Sequence, residues 1–278
     1  MRVFIDGAPV GDSEAVVSVF DWGLQRGFGC FEVIRSYHGR PFRAEAHLDR
    51  LERSAAALAM QRPDRSMIAD SVERAATAGG DCQVRVILTA GGRDPLADAP
   101  PRSVVMWELL PEVPVPLRVM SMAAPWHPGR SDGPLAAVKW LSYAPNMASS
   151  DAARRAGYDD ALLMCDEGWV IEGPTFGVAW MTGGTLETPG LDLGILPSIT
   201  RAATIEAAAT LGIPVAEGAF GLDRVLAADE VLALSTTRQV TPIGEIDGRE
   251  VPQGPVGPAL LEAFLDLVAA EIGHDPRR

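Results

Sequence analysis

The chain has 278 residues, 47% of them apolar and 22% charged, with a formal net charge of −13. That suffices for one large domain or two sharing an interface, no run approaches the roughly 18 uninterrupted apolar residues of a membrane span, and the acidic balance opposes nucleic acid. Cys30, Cys82 and Cys165 are too few and too scattered for disulfides or a zinc site, and MRVFIDGAPV is wrong for a signal peptide, so a cytoplasmic protein without metal is expected.

In chain order, RVFIDGAPV predicts a strand, a DG turn and a second strand, and RGFGCFEVIRSYHGRPF predicts two β-rich stretches around an HGR turn. AEAHLDRLERSAAAL spaces Ala46, Leu48, Leu51, Ala55 and Leu58 as one face of an amphipathic helix, and DRSMIADSVERAATAGG predicts a second helix with a glycine stop. QVRVILTAGG, SVVMWELL and PLRVMSM follow as strands, so residues 1–120 are expected to form a small α+β domain. Residues 121–138, rich in Pro, Gly and Ala, read as the connection to a second domain over 139–278. There NMASSDAARRAG is a helix, and YDDALLMCDEGWVIEG and FGVAWMTGGTLETP are hairpins. PSITRAATIEAAATLG and LDRVLAA are helices, DEVLALSTTRQVTPIGEIDG is strand, turn and strand, and GPALLEAFLDLVAAEIG is a closing helix. The fold class is α+β or mixed α/β. No GxxxxGK[ST], HExxH or GxSxG motif occurs.

Of the 24 basic residues, 23 are arginine, and Lys139 in LAAVKWLSY is the one lysine. A GC-rich genome accounts for the arginines but not for the exception. Only lysine among the two can lose its proton near neutrality and act as an amine nucleophile, and an apolar setting lowers its pKa. A chance survivor that snorkels to water and a catalytic amine both stand as readings at this point.

The stretches FIDGAPV, RGFGCFEVIRSYHGRPFRAEAHLDRLERSA, VKWLSYAPN, GWVIEG, LDLGILPSITR and ADEVLALSTTRQVTPIGEIDG, in this order, resemble the class IV (fold type IV) pyridoxal-phosphate aminotransferases. That group contains branched-chain aminotransferases, D-amino-acid aminotransferases and aminodeoxychorismate lyases. The resemblance implies a two-domain enzyme with pyridoxal phosphate between the domains and Lys139 as the Schiff-base lysine. It implies Arg50, Ile199, Thr200 and Thr236 at the phosphate, Glu172 at the pyridine nitrogen and Tyr143 at the cofactor hydroxyl. The segment EGPTFG departs from the EGSTSN of many relatives, which removes serine and asparagine side chains next to Glu172.

At the substrate end the resemblance points to Arg26, Phe31, Arg85, Thr237 and Arg238. Arg26 stands where branched-chain enzymes have a tyrosine and either faces the cofactor or points outward at a strand end. Arg85 matches a distal carboxylate binder or is a paired strand arginine. Thr237 and Arg238 match two alanines whose N–H groups take the α-carboxylate. Arg93 offers a substitute for the missing D-amino-acid carboxylate trap, His47 reads as structural, and Trp126 and Trp140 read as core or pocket wall. The implied activity is ping-pong amino transfer to 2-oxoglutarate or pyruvate in a homodimer. The alternatives are aminodeoxychorismate lyase, releasing pyruvate and 4-aminobenzoate, and an (R)-amine transaminase suggested by Arg26.

Overall fold

The computed structural model describes residues 1–127, 133 and 135–277, so residues 128–132 and 134 of the expected connection lie outside the described residues. The first half of the chain supplies β1 (Val3–Ile5), β2 (Ala8–Val10), α1 (Trp22–Arg26), β3 (Gly29–Tyr37), β4 (Arg40–Pro41), α2 (Ala44–Ala57), α3 (Arg65–Gly79), β5 (Cys82–Thr89) and β6 (Ser103–Glu108). Its six strands pair antiparallel in the order β2-β1-β6-β5-β3-β4. The two expected turns are tight because Asp6 and Gly7, and His38 and Gly39, all adopt positive φ.

Strand alternation puts Cys30, Ile34, Val84 and Val86 on one face, where α2 and α3 cover them with Leu48, Leu51, Ile68 and Val72. The apolar stripe of α2 is the one its spacing predicts. The same helix carries His47, Arg50 and Ser54, three and four residues apart and all buried.

The second half supplies β7 (Leu117–Ala123), α4 (Ala144–Arg155), β8 (Asp160–Met164), β9 (Gly177–Thr182), β10 (Thr185–Pro189), α5 (Ile199–Thr210), β11 (Val215–Gly218), α6 (Leu222–Leu226), β12 (Glu230–Ser235), β13 (Gln239–Ile246), β14 (Arg249–Glu250) and α7 (Val256–Ile272). The larger sheet runs β11-β10-β9-β12-β13-β7-β8, with β14 on β13. It is mixed: β10–β11, β13–β7 and β7–β8 are parallel pairs. Strand β7 therefore belongs to this sheet, and the exchange between sheets falls before Leu117. Helices α5 and α7 close over Ala179, Leu232 and Leu234.

The hairpin β3–β4 joins the two halves. Tyr37 and Phe42 leave the small sheet and enter the core under α7, where the Phe42 ring meets Phe264 edge-on at 5.6 Å between centroids. Burying one such ring stabilises by roughly 1.5–3 kcal/mol, so the two sheets are held at a fixed separation. The space left between them is the cleft described next.

Candidate active site

A cavity of about 690 Å³ opens between the sheets, lined by Phe31, Arg50 and Arg85 from the first half and by Lys139, Glu172 and the Thr236–Arg238 turn from the second. Its lysine is seated by backbone pairing. Phe31 N–H donates to the Lys139 carbonyl and Leu141 N–H to the Gly29 carbonyl, both at 2.9 Å, and Cys30 bridges Trp140 antiparallel. Lys139 N–H donates to Ser54 Oγ of α2 at 3.2 Å. The two glycines of RGFG make this crossing possible. Gly27 has φ of 63° with Ser142 Oγ 2.6 Å from where a Cβ would lie, and a Cβ on Gly29 would meet the Leu88 carbonyl oxygen at 2.3 Å.

The Lys139 amine sits 4.6 Å from the centroid of the Phe31 ring and 5.8 Å from that of Tyr143. Burial, then the Arg50 guanidinium, push its pKa down to about 8, with Glu32 and Glu172 pulling the other way. A substantial fraction is thus neutral near pH 7 to 8.

Arg50 is a paired arginine. Its Nε and Nη2 donate to the two oxygens of Glu32, each at 2.7 Å, and its Nη1 donates to the Pro197 carbonyl at 2.9 Å. His47 Nδ1 lies 2.8 Å from the second Glu32 oxygen. Burial alone raises the carboxyl pKa of Glu32, but the Arg50 charge and fork, with His47, hold it well below the usual carboxylate range. The bidentate pair fixes the guanidinium beside the start of α5. That start presents the N–H groups of Ile199 and Thr200, which precede the first intrahelical bond, and Ser198 caps the turn by accepting from Arg201 N–H. Ile199 lines the cleft; Thr200 is buried directly behind it.

Across the cleft, Glu172 Oε1 is 3.4 Å from His127 Nε2. The departure at EGPTFG is made good by neighbours rather than by its own side chains. The Pro174 carbonyl accepts from Tyr143 Oη at 2.6 Å and from Asn146 Nδ2 at 3.1 Å, and Trp126 Nε1 donates to Asn146 Oδ1 at 3.0 Å. Burial, with Glu172 nearby, raises the Tyr143 phenol above its usual range, so it stays a donor.

Most of the residues picked out in the sequence converge here: Phe31, Arg50, Arg85, Lys139, Tyr143, Glu172, Ile199, Thr236, Thr237 and Arg238 all line the cleft. Arg85 donates to Glu108 at 3.0 Å, the paired strand arginine of the alternative reading. Two do not: Thr200, which is buried, and Arg26. It ends the short helix α1, exposed, with its guanidinium 5.3 Å from the centroid of the Trp22 ring and outside the cleft; Arg93 lies 4.3 Å from that same ring centroid. In this chain Arg26 lies at a helix end rather than a strand end and does not line the cleft. Residues not anticipated are Glu32, Ser54, His127 and Asp160. Of these Glu32 had a readable signal, an acid sharing the inward parity of Cys30 and Ile34.

The family model described as Amino-transferase class IV matches residues 29–246 of this chain. A Methanocaldococcus jannaschii protein named "Putative branched-chain-amino-acid aminotransferase" is 33% identical over 96% of each chain. An aminodeoxychorismate lyase of Bacillus subtilis is 28% identical over 97% of this chain and 94% of its own. A D-alanine aminotransferase of Listeria innocua is 32% identical over 93% and 92%. Among solved structures, a hypothetical aminotransferase from Mycobacterium tuberculosis in its PLP-bound form superposes with a TM-score of 0.89 at 24% identity, covering 98% of this chain and all of that one. A branched-chain aminotransferase from the thermophilic archaeon Thermoproteus uzoniensis, solved with norvaline, gives a TM-score of 0.87 at 29% identity, covering 98% and 96%.

Proposed function

Because the chain belongs to the class IV aminotransferase family, whose enzymes depend on pyridoxal phosphate, we propose that it moves an amino group from an amino acid or amine to a keto acid through Lys139. The observation that carries this reading is the one lysine of the chain, held in the cleft between Arg50 and Glu172 with its pKa lowered to about 8. The donor set suits the cofactor by its chemistry: an amine for an aldehyde, a helix start with a fixed arginine for a phosphate, a carboxylate for a ring nitrogen. Arg50, Ile199, Thr200 and Thr236 would hold the phosphate, Glu172 the ring nitrogen and Tyr143 the ring hydroxyl.

When bound, the cofactor supplies a carbonyl that joins amines and a ring that stores the electron pair left at the substrate Cα. The protein does the rest. Lys139 Nζ, whose pKa is lowered to about 8, would be the group that takes and gives back a proton beside the substrate Cα. The Phe31 and Tyr143 rings flank that amine, at 4.6 and 5.8 Å from their centroids. Glu172, 3.4 Å from His127, would hold the ring nitrogen and favour its protonated form. The Thr237–Arg238 turn would receive the α-carboxylate, and Arg85 lines the cleft as an ion pair with Glu108. Turnover is ping-pong, with 2-oxoglutarate or pyruvate as acceptor.

The lyase reading keeps one support, the Bacillus subtilis relative of that name. The (R)-amine reading rests on Arg26, which is exposed and does not line the cleft of this chain, and the donor panel decides it.

The test begins with borohydride reduction of the cofactor-loaded protein and mass mapping, which should place a phosphopyridoxyl group on Lys139. A spectral panel of L- and D-amino acids and (R)-amines then reports the donor by bleaching of the bound cofactor's visible band. Label elsewhere, or none, overturns the reading. Recovery of the band on adding a keto acid supports transfer, and release of pyruvate and 4-aminobenzoate supports lysis instead.

A further inference from the structure

We propose that Arg238 is a positioning residue that clamps the Ser235–Arg238 turn to the Glu172 loop through Asp160 and Thr175, setting the affinity for the substrate's carboxylate. The proposal rests on the reading of that turn as the carboxylate site. Arg238 Nη2 donates to Asp160 Oδ2 at 2.8 Å, and Nη1 donates to Thr175 Oγ1 at 2.7 Å. Its guanidinium carbon lies 5.2 Å from the centroid of the Phe176 ring. Thr175 keeps the threonine of the EGSTSN pattern while Phe176 replaces its second serine, and Arg238 stands where the resembling family has an alanine. Two departures distant in sequence therefore meet in space.

The anchor is firm. Asp160 is buried at the start of β8, and its other oxygen accepts from Ser150 Oγ at 2.6 Å and from Ala161 N–H at 3.0 Å. Within the turn, Thr241 Oγ1 donates to the Arg238 carbonyl at 2.5 Å, and Arg238 N–H donates to Ser235 Oγ at 3.2 Å, a bond that a carboxylate at this N–H would have to share or displace. On its far side Arg35 of β3 donates to the Thr237 carbonyl at 3.0 Å, so the small sheet grips the same turn. A site that must present backbone N–H groups to a carboxylate loses affinity when those groups move, and this turn is held from three directions. Burial lowers the Arg238 pKa against the pull of Asp160, as for a desolvated pair, so removing one partner leaves the other charge uncompensated.

The experiment uses the cofactor-loaded protein and the best amino donor of the spectral panel. Arg238→Met should raise the donor concentration that half-bleaches the band about tenfold, the size of one lost charge-assisted hydrogen bond. Cofactor affinity should stay within about threefold, because the phosphate and ring contacts are elsewhere. Thr175→Val should shift the donor constant in the same direction and less. Arg238→Met with Asp160→Asn should do no worse than Arg238→Met alone, since the clamp is lost once, and this pair, free of a buried lone charge, serves if the single variant fails to fold. A donor constant within about twofold of the parent, an equal loss of cofactor affinity, or effects that multiply would each overturn the proposal. No bleaching of the parent by any donor overturns the transfer reading beneath it, a result distinct from parent bleaching with an unaltered Arg238→Met.

Discussion

At the scale of the residue, Lys139 is a destabilising group kept where an amine is wanted. Its pKa falls from 10.5 to about 8, so below pH 8 the folded and unfolded chains both carry the ammonium and only the folded one bears the cost of its burial. Above pH 10.5 both are neutral and the cost disappears. Lys139→Met should therefore raise the stability of the cofactor-free protein at pH 7 by about 1–3 kcal/mol, a melting point a few degrees higher, and the gain should shrink by about pH 10. Thermal melts at the two pH values check this, and a lower melting point for the variant at pH 7 contradicts it. The same amine should take up cofactor faster as the pH is raised through about 8. Lys139 is legible in the sequence because composition isolates it, whereas the Arg50–Glu32–His47 network is not. Position 47 and position 50 read as one helix face, but the acid between them comes from a strand 15 and 18 residues away.

Elements carry a different lesson. Strands and helices whose period runs over five residues or more match their sequence pattern: α2 lies within AEAHLDRLERSAAAL, β12 and β13 flank the STTR turn, and Gly273 ends α7 in the left-handed conformation. Helix α1 escapes that pattern because WGLQR is one turn long, has no buried residue and includes a glycine. Without the helix, Arg26 reads as a strand-end residue. The sheet to which β7 belongs is equally unreadable, since a strand's partners are set by topology rather than by its own residues. The lysine segment gives the sharpest test at this scale. Gly29→Ala drives a Cβ against the Leu88 carbonyl, which as sheet backbone cannot swing aside. The crossing of Trp140 over Cys30 should loosen at a cost of about 1–3 kcal/mol, read as a lower melting point. Borohydride labelling of Lys139 should fall with it; full labelling and an unchanged melt would show that the crossing tolerates the methyl group.

For the whole molecule, the small domain exposes several large apolar side chains. Val16, Val19, Phe20 and Leu24 are exposed before and along α1, and Leu96 is 95% exposed in the loop that follows the contact of Gly91 and Arg93 with Trp22. Exposed apolar side chains of this number on one stretch of chain invite a partner, and the homodimer implied by the family resemblance is our reading of them. Sedimentation should show a dimer, and Phe20→Glu with Leu24→Glu should yield folded monomer. A parent that sediments as a monomer removes the reading. Among the described residues no helix is long and apolar enough to cross a membrane.

The position of the single lysine also makes the chain its own gauge. Lysyl endoprotease can cut the unfolded polypeptide at one bond, after Lys139, leaving two fragments of 139 residues each. A phosphopyridoxyl group fixed on that amine by borohydride abolishes the cut. The fraction of full-length chain that survives digestion is then a direct titration of how many cleft amines held cofactor, without any substrate and without any spectrum.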